Sequence, residues 1–145
     1  MKHLVIAACL AATPLAAQDM IQYDTDQSFE DVLFGLENAI LNEGLVIDST
    51  SHVGAMLERT RADTGSDVQL YEAADVFSFC SATLSRKVME ADPMNIVYCP
   101  YDIFVMVRSD TPGTTTVGFR TFPEGPMKEV EALLDSLAKA AIGME

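Results

Sequence analysis

The chain has 145 residues, with 22 acidic against 9 basic side chains and a formal net charge of −13. That length suits one domain with a real core and is too short for two. The charge repels phosphate backbones and anionic headgroups, which excludes nucleic acid and membrane surfaces as expected partners. The acidic residues are spread along the sequence without forming a block, so they read as a solvated surface.

Lys2 precedes the apolar run Leu4 to Ala12, and Pro14, Ala16 and Ala17 follow. This is the pattern of a secretory signal, with cleavage expected after Ala17, and it is far below the ~20 residues that span a bilayer. Ile6-Ala7-Ala8-Cys9 also resembles a lipoprotein box, but the apolar stretch before Cys9 is too short to engage an export machinery. The expected product is residues 18–145, one unit more negative without Lys2, periplasmic or secreted and without membrane attachment after cleavage.

Met20 to Tyr23 is predicted as a short strand. Ser28 then caps a helix whose Phe29, Val32, Leu33, Leu36, Ala39 and Ile40 fall on one face, and Gly44 ends it. A strand is expected over Leu45 to Ser49 and a short helix over Val53 to Arg61. The turn-rich Asp63 to Asp67 follows, and then two strand candidates, Val68 to Tyr71 and Asp75 to Cys80. Ser81 caps a helix bearing Leu84, Val88 and Ala91, which Asp92-Pro93 stops. Ile96 to Cys99 and Tyr101 to Arg108 read as β, and Asp110-Thr111-Pro112-Gly113 turns the latter into Thr114 to Phe122. Gly125-Pro126 opens a last helix with Val130, Leu133, Leu134, Leu137, Ala140 and Ala141 on its apolar side, ended by Gly143. The implied class is α+β in two layers, a mainly antiparallel sheet with helices packed on one face.

Cys80 and Cys99, 19 positions apart, are the only cysteines beyond the leader. In an oxidising compartment an even count favours a disulfide, and closing a loop of about 20 residues stabilises by about 3 kcal/mol. The competing reading is a redox-active pair, since Cys80 beside a helix N-terminus is placed to favour thiolate, although Cys-x-x-Cys spacing is missing.

His52 is the only histidine beyond the leader, so multi-histidine metal sites and histidine-relay triads are not expected. A copper(I) site joining His52, Cys80, Cys99 and a methionine has only ligand softness in its favour. Glu30/Asp31, Glu90/Asp92 and Glu129/Glu131 read as solvated helix faces, and Ser78, Ser81 and Ser85 lack a nucleophile turn and a partner base. No catalytic residue, metal or cofactor is therefore expected. Phe77, Phe79, Tyr98 and Tyr101 are the candidates to line a ligand pocket, with packing beneath the helices as the competing use.

The run Asp75-Val76-Phe77-Ser78-Phe79-Cys80, the following helix, its Asp92-Pro93 stop, and Tyr98-Cys99-Pro100-Tyr101-Asp102-Ile103 resemble the domain of unknown function 302 family, from about Ser28 to the C-terminus. The resemblance implies a compact domain with a curved antiparallel sheet and packed helices, frequent dimers and no general enzymatic activity. Members often carry a cysteine directly after the proline, where this chain has Tyr101, so a role for that cysteine does not transfer. Two functions remain: a non-catalytic exported module that binds a small apolar ligand or a protein partner, and a thiol–disulfide redox protein or sensor using Cys80 and Cys99.

Overall fold

The computed structural model describes residues 20–144; the leader and Gln18 lie outside the described residues. The elements run β1 (Met20–Thr25), α1 (Phe29–Asn42), β2 (Val46–Ser51), α2 (Val53–Thr60), β3 (Tyr71–Cys80) and α3 (Ala82–Ala91), followed by a 3₁₀ turn (Pro93–Tyr98). Then come β4 (Tyr101–Arg108), β5 (Thr115–Arg120) and α4 (Lys128–Ala141). The strands form one open antiparallel sheet in the order β1-β5-β4-β3-β2. No helix among the described residues is long and apolar enough to cross a membrane.

Alternation along the strands decides what the sheet buries. Tyr101, Ile103, Val105 and Val107 of β4 point one way, in register with Phe79 and Phe77 of β3 and with Val117 and Thr115 of β5. Helices α1 and α4 lie against this layer. Val32, Leu36 and Ile40, spaced four apart, bring one stripe of α1 to zero exposure, and Val130, Leu134, Leu137, Ala138 and Ala141 bury the matching stripe of α4. The helices touch at Gly35, where a Cβ would lie 2.3 Å from the Ala141 carbonyl oxygen; only glycine permits that approach.

Local chemistry sets the ends. Ser28 Oγ accepts from Asp31 N and donates to the Asp31 carboxylate, capping α1, while Ser81 Oγ caps α3 through Leu84 N. Glu129 and Glu131 in the first turn of α4 and Lys139 in its last complement the helix dipole. Gly113, at φ +85, closes the expected hairpin between β4 and β5.

Three expectations need correction. Ile96 to Cys99 is not a strand: Asp92 Oδ1 accepts from Met94 N at 2.9 Å and Pro93 occupies the first turn, so Asp-Pro starts a 3₁₀ turn as well as stopping α3. Ile96 and Val97, β-branched but exposed, lack the burial that would have favoured a strand. Val68 to Leu70 is irregular, with Ser66 Oγ taking Val68 N, and only Tyr71 joins a strand; from there β3 is continuous to Cys80. Regular helix in α4 starts at Lys128, after a turn in which Gly125 takes φ +97.

Candidate functional site

Two places hold the candidate residues: the Cys80 end of the β2–β3 pair, and a groove that runs along the pair from Ile47 to His52 and Asp75. At one end, Cys80 closes β3 opposite Val46, and Cys99 precedes Pro100 at the entry to β4, across a cis peptide bond. Because Phe79 pairs with Tyr101, the residues just beyond that pair are brought together, and the sulfurs lie 2.7 Å apart. They are unbonded, half-buried thiols. A disulfide would require loss of two electrons and two protons from this pair, which here is a dithiol.

The helix N-terminus does not make Cys80 a ready nucleophile in this dithiol state. Burial pushes its thiol up to about 12, Cys99 and the Asp48 carboxylate add to the rise, and only the Tyr101 backbone N–H opposes it. Neighbouring Tyr101 is likewise raised, chiefly by burial, and its hydroxyl bonds Ser85 Oγ at 2.9 Å.

An open groove of about 480 Å³ runs between α1 and the edge of the sheet. There Ile47 and Thr50 of the edge strand β2 stay half-buried beside the buried Phe77 of β3. Ile47, Thr50 and Phe77 form the sheet side, and Glu30, Leu33, Phe34 and Glu37 the helix side. The spacing three, four and seven places these α1 residues on one flank. Asp75 occupies the sheet side as well, its carboxylate 2.9 Å from Nδ1 of His52, which precedes α2. His52 thus serves the groove and stands five residues of β2 away from the sulfurs, so the four-ligand copper arrangement does not form.

Of the four aromatics singled out in the sequence, Phe77 reaches the groove. Phe79 and Tyr101 are fully buried in the core, and Tyr98 packs on Phe122 with ring centroids 5.7 Å apart. Sequence reasoning missed Phe34. Its signal was available: it is an aromatic off the apolar stripe of α1, and it is 68% exposed. The acidic pairs are solvated or structural: Glu90 pairs with Arg86, Glu129 with Lys87, Asp92 caps, and Glu131 accepts from Phe122 N at 2.7 Å.

The family model described as "Domain of unknown function DUF302" matches residues 21–141. The chain belongs to the DUF302 family. The match takes in β1, which lies before the Ser28 at which the sequence resemblance began. No curated protein matches. Among solved structures, "uncharacterized conserved protein DUF302 from Bacillus stearothermophilus" superposes with a TM-score of 0.61 at 17% identity, over 88% of this chain and 95% of that one. At that identity the likeness establishes the fold alone, and the same five-stranded frame carries both places described above in this DUF302 chain.

Proposed function

We propose that this DUF302 chain is an exported, non-catalytic binding module whose α1–β2 groove takes a small apolar ligand, with a Cys80–Cys99 disulfide clasping the end of β3 to the entry of β4. The observation that carries the binding reading is the groove itself: about 480 Å³, within the range of small-molecule sites, floored by Ile47 and Phe77 and flanked by the exposed ring of Phe34. Export rests on the basic and apolar leader, and the clasp rests on the 2.7 Å approach of the sulfurs in a compartment that oxidises thiols.

Filling the groove separates this reading from a site elsewhere. Thr50 is half-buried and lines the groove from the edge strand, so Thr50→Trp adds bulk there without removing any core atom. Wild-type protein is expected to bind Nile red saturably, and the variant to bind at least about tenfold more weakly with unchanged circular dichroism and melting. Equal binding by a folded Thr50→Trp variant would place the ligand site outside the groove.

The half-exposed sulfurs also support a second reading, a thiol–disulfide redox protein or sensor. The raised Cys80 thiol weighs against rapid attack on a substrate disulfide, because the thiolate is the nucleophile.

A further inference from the structure

The groove's polar lining has one sign. Glu30 and Glu37 stand at the two ends of the α1 flank, with Leu33 and Phe34 between them, and Asp75 faces them from the sheet. No lysine or arginine lines the groove, and among the described residues neither Glu30 nor Glu37 forms an ion pair. Asp75 is covered except for 12% of its side chain, and its partner is His52, which is charged only when protonated. Between the carboxylates the surface is apolar: Leu33, Ile47 and Phe77, with the Phe34 ring 68% exposed.

An occupant must satisfy both halves. Burying apolar surface favours a hydrocarbon or aromatic body along Leu33, Ile47 and Phe77. The surrounding carboxylates, within a chain of net charge −13, repel an anionic head and attract a cationic one. An exposed aromatic face beside them adds cation–π attraction, which is strongest for quaternary and alkylated ammonium groups. Nine residues line the groove, against roughly 20–30 a side in a stable protein interface, so a small molecule fits the space better than a folded partner.

We infer that the ligand of this groove is an organic cation bearing an apolar chain, such as an alkylammonium compound, with the chain on Leu33, Ile47 and Phe77 and the head among Glu30, Phe34 and Glu37. This rests on the groove reading above and adds the charge of its ligand. The head exchanges bulk water for the carboxylate rim without leaving solvent completely, because the rim glutamates are exposed. Selectivity over a neutral chain of the same length therefore comes from Coulomb attraction at the rim, and affinity from the apolar floor.

The test uses the isotope-labelled protein in its oxidised form, titrated below micelle formation with decyltrimethylammonium, decanol and decanoate, and followed by amide chemical shifts. The cation is expected to bind about tenfold more tightly than decanol, with decanoate weakest, all three shifting groove amides. Glu30→Gln/Glu37→Gln, two exposed positions, should bring the cation to within about threefold of decanol while leaving decanol unchanged. Glu43→Gln/Asp63→Asn removes the same charge away from the groove and should keep the preference. Equal affinity for cation and decanol in the wild-type protein, or a preference lost equally in both double variants, would overturn the cation assignment and leave the groove standing. Failure of all three probes to shift groove amides would overturn the groove reading as well.

Discussion

Leu134→Ala and Leu36→Ala are each expected to cost about 2–5 kcal/mol in unfolding free energy, the range for removing a large side chain from a closed core. Both leucines have zero exposure, and they belong to the two helices that meet the sheet and each other. Neither site can collapse easily. Backbone already touches backbone where Gly35 meets Ala141, so the helices cannot move closer at that point to fill the space left behind. Chemical denaturation of the two variants measures this directly. Losses below about half a kcal/mol at both positions would mean that α1 and α4 do not seal this core.

The second large effect concerns the sulfurs. Protein recovered from the oxidising compartment without reductant should show no alkylatable thiol, and the paired Cys80→Ser/Cys99→Ser variant should keep the fold while unfolding about 3 kcal/mol sooner, on the order of 10 °C. The reduced protein should differ further in alkaline solution. Cys80 in the dithiol is held above its ordinary 9.0, so the folded state favours the neutral thiol. That contribution is fully present below the unfolded pKa and is lost as pH rises from there through about 12. Reduced wild type should therefore lose stability over that window relative to both the bridged form and the serine variant, which have no such thiol. Two free thiols in the exported fraction would contradict the bridge. A readily reversible potential together with insulin reduction, abolished in either single variant, would move the pair from clasp to redox centre.

Much of the frame was legible in the sequence because the signals there are local and repeated. The stripe Val32, Leu36, Ile40 and its counterpart Val130, Leu134, Leu137 define helix faces by spacing alone, and Ser28, Ser81, Gly44 and Gly113 mark ends by their own backbone chemistry. The errors came where a local bond outweighed side-chain type. Asp92 redirected Ile96 and Val97 into a 3₁₀ turn, and Ser66 held Val68 away from the sheet.

The sites were less legible because they are products of register. Cys80 and Cys99 meet only because Phe79 pairs with Tyr101, and the sequence offers no count that fixes that pairing. Helix-end placement suggested an acidified Cys80, but burial and a second sulfur reverse the direction. The groove depends on how α1, β2 and β3 come together, which no single segment encodes. Phe77 was identifiable as an aromatic strand residue; that it, of the four aromatics, lines the groove follows from its pairing with Thr50 of the edge strand. His52 reads as a loop residue until β2 and β3 pair and set it against Asp75.

The most direct measurement for the groove reading is an amide chemical-shift map of the labelled protein saturated with an apolar probe. A rival place exists on the opposite face of the sheet, a shallow hollow of about 290 Å³ around Met20, Val76, Phe104 and Arg120. Expected are shifts concentrated at Leu33, Phe34, Ile47, Thr50, His52 and Phe77, and near-silence at Val76 and Phe104. Shifts centred on Val76, Phe104 and Arg120, with the α1–β2 groove silent, would contradict it.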